Sequence, residues 1–198
     1  MAFCSISTSL TIDCGDEYPI SGMGDVYIVP VNAIDETGVT VDATAHTFSA
    51  FAVSGSEEWS RLEGKVDLTG LETENSKDGG GKVYTPTLSL TVPNADKARS
   101  FVMEKYGNQR VAVIASLNAK DSVTGNRKAV IIGYDNVTGK GAGAHLTFNT
   151  QIQAEKGQMN GYVVEISGTQ GESPRFVDFS ITVDDGASGE TVLFGAAV

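Results

Sequence analysis

The sequence predicts a mainly β protein: a β-sandwich or partial barrel with one flanking α-helix at about residues 94–106. Three observations carry this. Twenty-three glycines against five prolines fit many short strands joined by tight turns. Alternating runs recur, most clearly where Tyr84, Pro86, Leu88, Leu90 and Val92 interleave with Val83, Thr85, Thr87, Ser89 and Thr91, the pattern of a half-buried strand. One stretch departs from period two: Ala95, Ala98, Phe101, Val102 and Tyr106 form an apolar stripe at helical spacing.

The chain of 198 residues is long enough for one domain with a substantial core. Residues 1–24 are polar and weakly patterned and read as an N-terminal arm; residues 25–198 read as a single β-rich domain. Its first strand, from Asp25, is apolar on both faces at Val26, Tyr27, Ile28, Val29 and Val31. Pro30 removes a backbone donor, which predicts an edge position or a bulge. A strand from Thr44 to Val53 sets Phe48, Ala50 and Ala52 against Thr47, Ser49 and Phe51, and a short amphipathic strand follows around Trp59. Residues 66–81 carry three consecutive glycines and mixed charge, and read as a long irregular loop, mobile in the free chain.

After the strand at 83–92, Asn94 is a good helix N-cap and Gly107 a good terminator. The helix is expected to pack through Phe101 and Val102. Residues 110–118 and 128–134 are strongly β-forming and are joined by a turn at Lys120–Asn126, a hairpin signal. Val130–Ile132 is apolar on both faces, so that strand is expected to be central. A second hairpin spans Ala144–Ile166. Residues 178–183 alternate, and residues 190–198 form a last apolar strand expected to pair internally or with a neighbour.

Charge excludes some functions. A net charge of −11 opposes binding to a phosphate backbone, because that affinity comes from Lys and Arg. The acidity either keeps the chain soluble or lines a conduit along which DNA slides without sticking. No apolar run approaches the ~20 residues of a membrane helix. The N-terminus lacks the basic flank and apolar core of a signal peptide, so the chain is expected to be made in a cytoplasm. Cys4 and Cys14 are expected to be free thiols packed as small hydrophobes.

No nucleophile motif or nucleophile–base pair is visible, and His46 and His145 read as surface or interface residues in mid-strand. Residues 184–190 have the composition of a calcium loop without EF-hand spacing, and acidic glycine-rich turns are common in β proteins. Residues 139–143 are glycine-rich but lack the end of a phosphate loop. Asp13 and Asp16 have no partner base. Trp59 with Tyr84 could form a sugar-stacking platform, although strand aromatics are more often core. No catalytic, metal or cofactor site is assigned.

The edges are more informative, since unpaired strand edges are what an assembling ring joins. The loop 66–81 offers Thr73, Glu74, Lys77 and Asp78. The hairpin 144–166 offers Thr147, Asn149, Gln151 and Gln153, uncharged hydrogen-bonding side chains on one face. That face suits an interface or a water-lined channel; the plainer reading is a solvated sheet face.

The order of elements from Lys82 to Gly168 resembles the tail-tube and tail-ring proteins of tailed bacteriophages. The carrying segments are the strand at 88–92, the helix at 93–107, the strand pair 110–118 and 127–136, the glycine turn after it, and the hairpin at 145–168. The resemblance implies a homo-oligomeric ring, commonly a hexamer, single or stacked, within a virion tail. Other tail or head–tail connector proteins would be its partners, DNA would pass through the lumen without specific binding, and no membrane is involved. It further implies that residues 66–81 order on assembly and that 144–166 faces the lumen or a neighbouring subunit. The competing class is a β-sandwich binding module, such as a carbohydrate-binding, adhesin or head-decoration domain.

Overall fold

The computed structural model describes residues 23–42, 44–54, 57–62, 70–78, 81–93, 97–120, 124–151, 160–184 and 189–194. In chain order these form β1 (Met23–Pro30), β2 (Ile34–Asp42), β3 (Thr47–Val53), β4 (Trp59–Leu62), β5 (Gly70–Asp78), β6 (Gly81–Pro93), α1 (Lys97–Gly107), β7 (Arg110–Lys120), β8 (Arg127–Ile132), β9 (Ala144–Gln151), β10 (Gly161–Ser167), β11 (Arg175–Val177), β12 (Ser180–Asp184) and β13 (Glu190–Leu193). The protein is mainly β with one flanking helix, as the sequence predicts, and its sheet does not close into a barrel.

One hydrogen-bonded path runs β2–β3–β11–β8–β7–β1–β4–β12–β13. A branch, β9–β10–β6–β5, joins it where Arg110 and Val111 of β7 pair with His145 and Ala144 of β9. Most neighbours are antiparallel, but β11–β3 and β12–β4 are parallel.

The centre is the layer β1–β7–β8, whose three strands are apolar on both faces. Register aligns Ile28 with Val113 and Val113 with Ile132, and one residue along aligns Tyr27 with Ile114 and Ile114 with Ile131. Because side chains alternate across a strand, these rows face opposite ways. The first joins Leu88, Leu90, Val164, Ile166, Met103 and Tyr106 in a core beneath the β9–β10–β6 layer and the helix. The second joins Phe48, Phe51, Trp59, Tyr134 and Phe194 in a separate core on the other side.

The second core forms because the long path curls. β11 and β12 are separated by Asp178 and Phe179 alone, yet β11 pairs with β8 and β3 while β12 pairs with β4 and β13. This crossing pulls the two wings together. Phe179 stacks on Phe51 at 5.7 Å with rings 10° apart, Phe51 meets Trp59 at 5.9 Å, and Tyr27 meets Phe194 edge-on at 5.7 Å. A bulge helps. Thr40 pairs with Ala50 but Val41 with Phe48, so Ser49 is an extra residue on β3, and Phe48 and Phe51 reach one core despite their odd spacing.

Several expectations are corrected. β1 is internal, between β4 and β7, not an edge; it does carry an irregularity, between Met23 and Val26 rather than at Pro30, which is the last residue of the strand. Residues 34–42, unassigned from sequence, form β2. The run 178–183 is not one strand, since the chain breaks at Asp178–Phe179 between β11 and β12. His46 is not in mid-strand but in the turn before β3, with a left-handed φ of 56°. The helix packs through Met103 and Tyr106, both 1% exposed, and through Val102 as expected, whereas Phe101 is 69% exposed. Val102 and Met103 lie within one turn of Tyr106, but Phe101, five residues before it, is rotated to the outer surface. The Tyr106 hydroxyl lies 2.6 Å from Ser60 Oγ, tying the helix to β4.

Within residues 66–81, Gly70–Asp78 is not an irregular loop but a nine-residue strand. Residues 66–69, 79 and 80 lie outside the described part, as do 94–96 of the expected helix and all but the last two residues of the expected N-terminal arm, which start β1.

Ile114 and Ile132 are fully buried, on opposite faces of the central layer. Replacing either by Ala is expected to lower stability by about 2–5 kcal/mol, read by urea unfolding. Met103→Ala should fall in that range, while Phe101→Ala should stay within about 0.5 kcal/mol of the parent. The reverse order for the last two would mean that the helix packs by the face predicted from sequence.

Candidate functional site

β5 and β6 form a hairpin in unbroken register from Gly70↔Ser89 to Asp78↔Gly81. β6 pairs with β10 only from Thr87 onward, so the hairpin continues past the sheet as an arm. Its β6 side is held where Tyr84 and Gln170 exchange backbone hydrogen bonds of 3.0 and 2.8 Å. The outer edge of β5 pairs with no other strand among the described residues, leaving a row of backbone donors and acceptors open to solvent.

Unbroken register sorts the arm into two faces. On one, Leu71 pairs with Leu88, Thr73 with Pro86, Asn75 with Tyr84 and Lys77 with Lys82. Leu71 and Leu88 belong to the first core, which makes this the inward face; towards the tip it leaves the core behind and ends in Lys77 and Lys82, both exposed. On the outward face, Glu72 pairs with Thr87, Glu74 with Thr85 and Ser76 with Val83. The arm therefore carries its carboxylates on one side and its ammonium groups on the other.

The outward face continues across the β9–β10–β6 layer in straight rows. One row is His145, Ser167, Thr87 and Glu72; the next is Thr147, Glu165 and Ser89; the third is Asn149, Val163 and Thr91. Thr147, Asn149 and Gln151 are exposed, whereas Ala144 and Leu146, of opposite parity on β9, are buried. Among the described residues β9, β10, β6 and β5 carry Glu72, Glu74 and Glu165 and no Lys or Arg on this face, and the exposed Arg110 of β7, paired with His145, extends its first row. The structure thus gathers Thr147, Asn149, Gln151 and Glu74 on one face and sets Thr73 and Lys77 on the other; Asp78 ends β5 opposite Gly81. Gln153 lies outside the described residues.

Glu72, Lys82 and Glu165 belong to these surfaces and were not singled out from sequence. The available signal was period two in residues 70–78, which places Glu72 and Glu74 together and Lys77 apart from them. It is faint because neither face of the arm is apolar.

Two other places bring polar groups together. A cleft of about 280 Å³ lies between β3, β4 and β12, lined by Phe51, Trp59, Glu57, Glu58, Ser180 and Thr182. Trp59 is only 2% exposed and belongs to the second core, while Tyr84 sits on the arm, so the two aromatics form no shared platform. Glu57 is engaged by Lys105 at 3.6 Å.

The second place is a polar tie beneath the turn after β8. Asp135, 1% exposed, accepts from the amides of Val137 and Thr138, from the Thr138 hydroxyl at 2.8 Å and from the Gly171 amide at 2.7 Å. Gly133 enters this turn with a φ of 77°, and a Cβ there would meet the Val111 carbonyl, so glycine is required. Glu172 accepts from the Asn136 amide and grips Arg175 with both oxygens, at 2.8 and 2.7 Å; His46 Nε2 lies 3.0 Å from Ser173 Oγ. Every carboxylate oxygen here is engaged by fixed donors, which describes a scaffold holding β8, β11 and β3 together.

Among the described residues no three His, Cys, Asp or Glu side chains are placed to hold a metal, and no helix is long and apolar enough to cross a membrane. Cys4, Cys14, Asp13, Asp16 and residues 185–188 of the acidic turn lie outside the described residues. Residues 140–142 form a 3₁₀ turn, the turn expected of that glycine-rich segment. No protein family, curated protein or solved structure matches the chain.

Burial pushes the Glu172 carboxyl up, but the Arg175 guanidinium and the Asn136 amide more than offset it and hold the group below its ordinary value of 4.5. A depressed carboxylate contributes stability above its unfolded pKa and loses it as pH falls. The stability gap between the parent and Glu172→Gln should therefore be full at pH 6 and shrink steadily below about pH 4.5. Chemical unfolding at several pH values checks this; a gap constant down to pH 3 would mean that the ion pair is not formed in solution.

Proposed function

We propose that this chain is a structural protein of a bacteriophage tail that assembles with copies of itself into a ring or tube. The outward face of the β9–β10–β6 layer would line a lumen through which DNA moves, with the β5–β6 arm left to contact another copy. The observation that supports this best is the make-up of that layer: Thr147, Asn149, Ser167, Thr87 and Ser89 around Glu165, with no Lys or Arg on that face of its three strands and Arg110 only at the junction with β7. Such a wall is wetted by its hydroxyl and amide groups and, beyond single hydrogen bonds, gives phosphates little positive charge to hold, because DNA affinity comes mainly from Lys and Arg. The open edge of β5 adds a strand able to pair with another subunit. Hexameric symmetry, tail and connector partners and a place in the virion follow from the same proposal. The binding-module reading loses its aromatic platform with the burial of Trp59.

The test is sedimentation velocity of the purified chain across concentration, with negative-stain microscopy of the heaviest fraction. Uniform rings or tubes with a central hole support the proposal; a strict monomer at every concentration counts against self-assembly. A truncation separates arm from body. Replacing Ser76–Val83 by Asn-Gly, which makes a two-residue turn beyond the Asn75–Tyr84 pair, removes residues that add little to the core. The melting temperature should move by only a few degrees, and assembly should be lost.

A further inference from the structure

The arm displays opposite charges on opposite faces, and this constrains how two copies can meet. Lys77 and Lys82 are direct cross-strand partners. Like charges directly opposite each other in a sheet are destabilising, so their pairing does not serve the hairpin itself. Neither forms an ion pair with a carboxylate among the described residues. On the reverse side Glu72 and Glu74 stand two residues apart along the same strand, and both are exposed.

We propose that copies of this chain associate head to tail, the lysine face of one copy's arm against the Glu72 and Glu74 face of the next copy's arm. This rests on the self-assembly reading above and specifies its contact. A two-fold pairing of β5 edges keeps each face of the sheet on its own side, so only residues of like parity oppose each other. In the register centred on Glu74, that residue faces its own copy; shifted by one pair, Glu72 faces Glu74 twice. Two-fold stacking of arms sets lysines on lysines or carboxylates on carboxylates. A head-to-tail contact instead sets each lysine pair near a carboxylate pair and leaves one face of each sign free for another copy. Such heterologous contacts propagate into rings when the rotation closes and into filaments when it does not. The occupant of the lysine face is thus a second copy, chosen by charge complementarity in a chain of net charge −11.

Two variants test this without relying on loss alone. Lys77→Glu/Lys82→Glu makes both faces acidic, and Glu72→Lys/Glu74→Lys makes both faces basic. All four positions are exposed on the arm, so both variants are expected to melt as the parent does. Each alone should show at least about a tenfold drop in assembled fraction at matched concentration in about 0.15 M salt. An equimolar mixture of the two should recover assembly, because every acidic face then meets a basic one. Added salt should weaken both the mixture and the parent. Variants that assemble as the parent does, or a mixture that fails although the parent assembles, overturn the head-to-tail contact and leave self-assembly standing. A parent that never assembles overturns both.

Discussion

Everything in this fold hangs on three strands that have no solvent face. β1, β7 and β8 carry unbroken buried apolar runs, Val26–Val29, Val111–Ala115 and Ala129–Ile132, so each must be covered on both sides. An antiparallel sheet ordinarily leaves one face to water; here that would expose Tyr27, Val29, Ile114 and Ile131 or their opposite numbers. Each fully buried side chain of this kind is worth about 1.5–3 kcal/mol, and no arrangement that wets one face recovers that. The chain answers with two covers: β9–β10–β6 and the helix on one side, the curled wings on the other.

The second cover is the more demanding. Two wings of one sheet must bend until Phe51, Trp59 and Phe179 touch. The Asp178–Phe179 crossing achieves this by sending consecutive short strands to opposite wings, and the Ser49 bulge lets Phe48 and Phe51 point the same way. Polar groups reinforce it from the rim. Asp135 satisfies four donors around one turn, and Glu172 with Arg175 secures the start of β11. A buried carboxylate is tolerated only when hydrogen-bonded, as Asp135 is, and the half-buried Glu172 is likewise engaged at both oxygens.

Sequence reading succeeds where burial imposes a clear period. β6, β7, β8, β9 and β10 were legible because alternating or unbroken apolar residues leave no other interpretation. So was the existence of the helix, although Phe101 was expected on its buried face; Phe101 is simply an apolar residue left in water. β2 was illegible because residues 35–38 mimic a turn, and in the structure they are an irregularity between paired ends. β5 was illegible because it buries almost nothing: residues 70–78 hold one apolar side chain, Leu71, and alternation between two polar faces is invisible to a hydrophobic count. Backbone pairing with β6, which composition does not report, makes it a strand. Thr147, Asn149 and Gln151 were readable as a polar face because Leu146 and Phe148 mark the opposite one; Lys82 and Glu165 were not, because their significance depends on cross-strand partners far away in sequence.

The same reasoning separates what stabilises this protein from what it presents. Apolar burial is concentrated in the layer and its two covers, and the aromatic wings are joined by the ring contacts of Phe51 with Trp59 and Phe179. The arm lies outside that accounting. Past Leu71 and Pro86 it buries little, yet β5 and β6 keep strict register for nine pairs, which no demand of the core explains. Register fixes which side chains share a face, and slippage by one residue would put Glu72 and Glu74 where Lys77 now stands. A hairpin that contributes little to the core but holds its two charge patterns apart suits the contact between copies proposed above. On that proposal the arm is the part of the molecule where sequence change alters association while leaving folding intact.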